Sequence, residues 1–156
     1  MTGRAEVRSM EQRLDATFKR IDTANLEAEI LSDFARYLCV LVSGYLEKAI
    51  YELLLEHARN NGAPSLQRFV DHRTKRFTNA TSGKLADLLG DFHSEWSEQF
   101  EDYISGELKD GINAVVDLRN NIAHGGSVGV TYRTISNYYD RIKKVVEYLT
   151  DLLVPL

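Results

Sequence analysis

The chain has one cysteine, Cys39, which excludes an intramolecular disulfide and fits a reducing compartment. It has no excess of positive charge. With a net charge of -4, general electrostatic attraction to polyanions is excluded, so any nucleic-acid contact must come from a local basic patch. Long apolar runs are missing too. The longest, Tyr37 to Leu46, is interrupted by Ser43 and Gly44 and falls far short of the roughly 20 residues a membrane-spanning helix needs. The N-terminal stretch is polar and charged and shows no signal-peptide pattern, so a cytoplasmic location is expected. No strand-like alternation, internal repeat or low-complexity tract occurs.

Several kinds of chemistry are absent as well. The carboxylates Glu95, Glu98, Glu101 and Asp102 come without histidines at ligand spacing, so no metal site and no cofactor is expected. The serines form no nucleophile elbow, and Cys39 has apolar neighbours rather than an electropositive setting. Gly125-Gly126-Ser127-Val128-Gly129 follows a helical stretch instead of a strand and ends in no Lys-Ser/Thr pair, which excludes a phosphate-cradling loop and leaves a flexible connector. His57, His72 and His93 read as surface or capping residues.

What is present is helical periodicity. At 156 residues, 44% apolar and 27% charged, the chain is one domain's worth with enough apolar surface for a real core. Val7, Met10, Leu14, Phe18 and Ile21 step by three or four and predict a first amphipathic helix. A longer helix is expected from about Leu26, and firmly from Ser32, to about Arg59, ending at Asn60-Asn61-Gly62-Ala63-Pro64. Its middle is apolar nearly all round, the pattern of a helix buried in a bundle or at a subunit interface. Ser43 and Gly44 would let another helix approach closely. Glu47 falls on the same row, and either pairs with Arg119 or reaches water at the rim.

Ser65 is expected to cap a short helix through Leu66, Phe69 and Val70. Arg68, His72, Arg73, Lys75 and Arg76 make this the most basic stretch, either an RNA-backbone contact or a solvated face. After a loop at Phe77-Thr78-Asn79, Thr81 or Ser82 caps a helix through Leu85, Leu88 and Leu89 that Gly90 ends. Phe92, Trp96, Phe100 and Tyr103 form an aromatic core stripe. Thr131 caps a last helix whose face runs Ile135, Tyr138, Ile142, Val145, Leu149, Leu152, ending at Pro155, and Arg133 near its start is either a further candidate nucleic-acid contact or a surface residue.

The densest polar cluster is Asp117-Leu118-Arg119-Asn120-Asn121-Ile122-Ala123-His124-Gly125-Gly126. Leu108, Ile112, Val115, Val116, Ile122 and Ala123 predict a helix from about Glu107 to about His124, stopped by Gly125. Asn120 and His124 share a face, whereas Arg119 and His124 point apart unless the helix unwinds at His124. The carbonyl end of a helix favours a cation and tends to lift a histidine from about 6.5 toward neutrality. A guanidinium supplies forked donors for phosphate oxygens. Together they suffice to cleave a phosphodiester without a metal, but the same residues also read as a helix cap and a solvated arginine.

Arg119-Asn120-Asn121-Ile122-Ala123-His124-Gly125 resembles the Arg, four to six residues, His signature of the HEPN superfamily, with its polar residue directly after the arginine. Leu38 to Lys48, Arg76-Phe77-Thr78-Asn79, Leu88-Leu89-Gly90-Asp91-Phe92 and Gly129-Val130-Thr131 resemble the RiboL-PSP-HEPN branch, and the likeness covers roughly residues 30 to 153. The resemblance implies an all-α, HEPN-like helical bundle with a long central helix and a C-terminal antiparallel helix pair. Residues 1–24 would form an N-terminal helix, and residues 25–156 the bundle that carries the motif. It also implies a homodimer that joins two motifs in one cleft, and a metal-independent endoribonuclease acting on RNA in a toxin–antitoxin or phage-defence setting, with an antitoxin or regulatory protein as a possible partner. Arg119 would hold the scissile phosphate, His124 would act as acid or base, Asn120 would support the site and Glu47 would orient the arginine. The alternative is a non-catalytic HEPN module that binds RNA, a nucleotide or a partner protein. Gly126 occupies the place where HEPN toxins modified by their antitoxin carry a tyrosine, so control by that route is not expected.

Overall fold

The computed structural model describes residues 2–126 and 128–156, and over them the chain is all-α. Ser127, in the connector expected over Gly125–Gly129, lies outside the described residues. The helices are α1 (Gly3–Thr23), α2 (Ala28–Asn61), α3 (Pro64–Thr74), α4 (Ser82–Gly90), α5 (Ser94–Ile104), α6 (Glu107–Ala123) and α7 (Tyr132–Leu153).

Helix α2 is the spine, packing against α1, α3, α6 and α7. Leu38, Cys39, Val42, Leu46, Ala49, Ile50, Leu53 and Leu54 have no solvent exposure, and removing that apolar area from water is the main force holding the bundle together. Burial pushes the Cys39 thiol up to about 11, which keeps it protonated and unreactive.

Cross-helix bonds fix the directions. Tyr45 donates to Glu11 at 2.8 Å and the Gly3 N–H to Glu56 at 3.2 Å, so α1 runs antiparallel to α2. His57 Nδ1 lies 3.0 Å from the Leu153 carbonyl, and the Tyr45 and Tyr139 rings meet edge to face, so α7 runs parallel to α2. Helix α6 returns antiparallel along α7, with the Gly111 position tight against the Arg141 side chain. That direction carries the C-terminus of α6 toward the N-terminal half of α2.

Several local expectations need correcting. Helix α3 begins at Pro64 with Ala63 as its cap and no side-chain cap bond, rather than at Ser65. Proline's fixed φ suits the first helical position, and the Ala63 carbonyl takes the N–H groups of Leu66 and Gln67. Of the apolar face expected on α3 only Val70 is buried, while Leu66 and Phe69 are 58% and 66% exposed. His57 is a half-buried tie between α2 and α7 rather than a surface or capping residue. Thr81 and Thr131 do cap α4 and α7, accepting from the N–H groups of Lys84 and Thr134.

The N-terminal half of α2 is not fully covered. Ile30, Phe34 and Tyr37 are exposed at steps of four and three, half-buried Leu41 and open Gly44 continue the same face, and Glu47 borders it one turn further on. Among the described residues nothing lies within 4 Å of a Cβ added at Gly44, so the space above it is open.

Candidate functional site

The site is built where α6 ends. His124 is the C-cap, its N–H donating to the Asn120 carbonyl at 3.1 Å. Gly125 adopts φ +75, the left-handed conformation that glycine reaches without a Cβ penalty. Its N–H donates to Ile122 and that of Gly126 to Asn121, the paired bonds of a Schellman termination. A side chain at Gly126 would press on the Asn121 carbonyl at 3.0 Å. The two glycines therefore close the helix abruptly, leaving His124 exposed at its tip.

Arg119 is half-buried, and its Nη1 donates to Asn120 Oδ1 at 3.3 Å. Arg119 and His124 share no hydrogen bond. Asn120 receives the guanidinium on its side chain, and its carbonyl takes the His124 backbone N–H in the helix's own hydrogen-bond pattern. A depression of about 490 Å³ beside them is lined by Thr81, Asn113, Ala114, Val116, Asp117 and Asn120. Asn113 fixes its far wall through reciprocal bonds with Ser82, 2.9 Å to the N–H and 3.0 Å to the hydroxyl.

Glu47 reaches the same neighbourhood from α2. Burial raises its carboxyl above the usual range, opposed by the Asn79 N–H and by the positive charges of Arg119 and Lys84. The direct bond is to Asn79, at 3.2 Å. Among the described residues Glu47 and Arg119 form no ion pair within 4.0 Å, so the arginine acts on it as a nearby charge. Asn79 sits at φ 54, a left-handed conformation that asparagine tolerates better than most residues. Its side-chain Oδ1 is buried without a partner.

The remaining sequence candidates fall elsewhere. Arg73, in the last turn of α3, pairs with Asp91 at 3.1 Å. Lys75 is the C-cap of α3, and Arg76 follows it, both exposed. Arg133 is exposed in the first turn of α7, on a different helix. Lys84 and Asn113 are not among the residues that the sequence pattern singles out, and Asn79 enters it only within the loop Phe77-Thr78-Asn79 and the likeness of Arg76-Phe77-Thr78-Asn79, without a role of its own. Only Asn79 leaves a signal, as an asparagine at a helix break where left-handed backbone is common. A lone lysine in a short helix leaves none.

Among the described residues no three His, Cys, Asp or Glu side chains gather as a metal would require, and no helix is long and apolar enough to cross a membrane. No curated protein and no solved structure matches the chain. The family model of RiboL-PSP-HEPN matches residues 6–154. A match over nearly the whole length, on an all-α bundle whose α6 ends in Arg119, Asn120 and His124, shows that this chain belongs to the RiboL-PSP-HEPN family.

Proposed function

We propose that the protein is a metal-independent endoribonuclease whose site is completed by a second copy of the chain. The observation that carries this reading is the end of α6. The same helix end carries a half-buried guanidinium bonded to Asn120 Oδ1 and, at its tip, an exposed imidazole whose ring makes no hydrogen bond among the described residues. His124 removes the proton from a ribose 2′-OH, and the 2′-oxygen attacks the adjacent phosphorus. Arg119 stabilises the charge that builds on the phosphate oxygens. The bond to the 5′-oxygen then breaks, giving a 2′,3′-cyclic phosphate and a 5′-hydroxyl. The second copy's motif supplies the proton the leaving oxygen needs. Asn120 supports the site, and Glu47 orients Arg119 as a charge held across from it.

The uncovered α2 face supports the dimer. Ile30, Phe34, Tyr37 and Leu41 lead to Gly44 and then to Glu47, so a second copy packed there would lie next to the motif, and open Gly44 permits close helix approach. By family resemblance, the setting we propose is toxin–antitoxin or phage defence. Product ends test the chemistry. With chelator present, the purified protein should cut single-stranded RNA to leave cyclic-phosphate and 5′-hydroxyl ends, whereas 3′-hydroxyl ends or a need for added divalent ion would reject it.

The lack of a direct Arg119–His124 bond within one chain favours a second reading, a non-catalytic HEPN module that binds RNA, a nucleotide or a partner protein. Retained RNA affinity with no turnover, with or without divalent ions, would select it.

A further inference from the structure

A second, more basic groove lies beyond Glu47. It measures about 440 Å³ and runs between the end of α3, with Arg73 and Arg76, and α4, with Lys84, Asp87 and Asp91, along Phe77 and Thr78. Its charges are unequal. Arg73 is committed to Asp91 at 3.1 Å, whereas neither Arg76 nor Lys84 has a carboxylate within 4.0 Å among the described residues. Lys84 is held in place: its ammonium donates to the Thr78 carbonyl at 2.8 Å and sits 5.7 Å from the centre of the Phe77 ring. One of its three donors is used. The other two are available to oxygen ligands, with part of the ordering cost of a long side chain already met.

The groove and the α6 site share one loop. The left-handed turn at Asn79 directs that residue's N–H to Glu47, while the preceding carbonyl, of Thr78, holds Lys84. Thr81 closes the loop by capping α4 through the Lys84 N–H. Lys84 on α4 and Arg76 just past α3 line the groove from its two sides, and Asp87 and Asp91 stand on the same side as Lys84, Asp91 being taken up by Arg73.

We propose that this groove is a subsite for the phosphodiester backbone flanking the scissile linkage, with Lys84 and Arg76 each contacting a phosphate. The proposal rests on the reading of Arg119 and His124 as an RNA site. It adds Lys84 to the candidates read from sequence, and it drops Lys75, which does not line the groove.

The test measures binding rather than turnover. In a His124→Ala background, fluorescence anisotropy with a labelled, unstructured single-stranded RNA is followed across a salt series. Lys84→Gln and Arg76→Gln should each weaken binding about five- to tenfold at low salt and reduce the slope of log affinity against log salt by about 0.7. Lys84→Arg should restore both, which a merely structural role would not predict, and Lys19→Gln, at an exposed position of α1, should change neither. Unchanged affinity and slope in folded Lys84→Gln and Arg76→Gln would overturn the subsite, as would a parent protein that binds no RNA. Poly-glutamate binding as tightly as RNA, with the same sensitivity to Lys84→Gln, would also overturn it, because the groove would then fit an acidic polypeptide. If the wild type fails to cleave but Lys84→Gln still loses RNA affinity, the subsite stands and the catalytic reading falls. If the wild type cleaves, and neither cleavage nor binding responds to Lys84→Gln, the catalytic reading stands and the subsite falls.

Discussion

The α1–α2–α7 slab and the margin where α4 meets α6 use polar groups in opposite ways. In the slab, most polar atoms are spent on one another, although Arg4 Nε on α1 is buried without a partner. Tyr139 donates to Asp15 at 2.6 Å and approaches the Glu11 carbonyl at 3.3 Å, and Tyr45 donates to the Glu11 carboxylate. At the margin, polar groups lack such matches: Glu47 has an N–H but no cation in contact, Arg119 has only an amide oxygen, and Asn79 has an orphaned Oδ1 and a left-handed backbone. A fold tolerates uncompensated groups of this kind when they are kept for something other than stability. The slab holds the fold, and the margin is what the fold presents.

Substitutions can break or sharpen this contrast. The largest effect on stability should come from the spine: Leu46→Ala, at a position with no exposure, should cost about 3 kcal/mol in urea unfolding. A loss under about 1 kcal/mol would mean that the slab does not carry the stability.

Next is Tyr139→Phe, which removes the bonds to Asp15 and Glu11 and should cost about 1 kcal/mol. Burial and then the bond to Asp15 push the Tyr139 hydroxyl well up, and burial followed by Glu11 does the same to Tyr45. A raised folded value means the stabilising contribution is fully present below the ordinary tyrosine pKa of about 10 and is lost as pH rises through the raised values. The difference between Tyr139→Phe and the wild type should therefore hold constant from pH 7 to 9 and shrink in stronger alkali. A difference that disappears already by pH 9 would assign it to something other than the phenol.

The smallest change in stability, and of opposite sign, is expected at Glu47. Because burial is the leading cause of its raised carboxyl, the native state holds that proton more tightly than the unfolded chain, and ionisation subtracts stability above the ordinary glutamate pKa of about 4.3. Glu47→Gln should raise Tm slightly at pH 7, lose that advantage as pH falls below about 4, and slow RNA cleavage. A lower Tm at neutral pH would move Glu47 from the margin to the slab.

How much of this the sequence carries depends on the range of the interaction. Helices α1, α6 and α7 are legible by their period, and the start of α7 and the end of α6 are legible because a capping threonine and a terminating glycine act within a turn or two of chain: Thr131 caps α7, and Gly125 closes α6. Arg119, Asn120 and His124 are legible because they sit on one short segment. Exposure is harder to read. The spacing of Leu66 and Phe69 defines a face but not whether anything covers it, and the same ambiguity leaves the middle of α2 readable as core or interface. The Asn79–Glu47 bond spans 32 residues, and the approach of Lys84 to that carboxylate depends on how α4 docks, which no local pattern encodes.

The proposed function depends above all on the imidazole that ends α6 moving a proton in RNA cleavage. The most direct measurement is the single-turnover cleavage rate of wild type and His124→Ala on the same RNA, with chelator present and with folding and dimerisation checked on both. The variant should lose about 100-fold or more in rate, with Tm and dimer unchanged. Equal rates in the two proteins would contradict that role for His124.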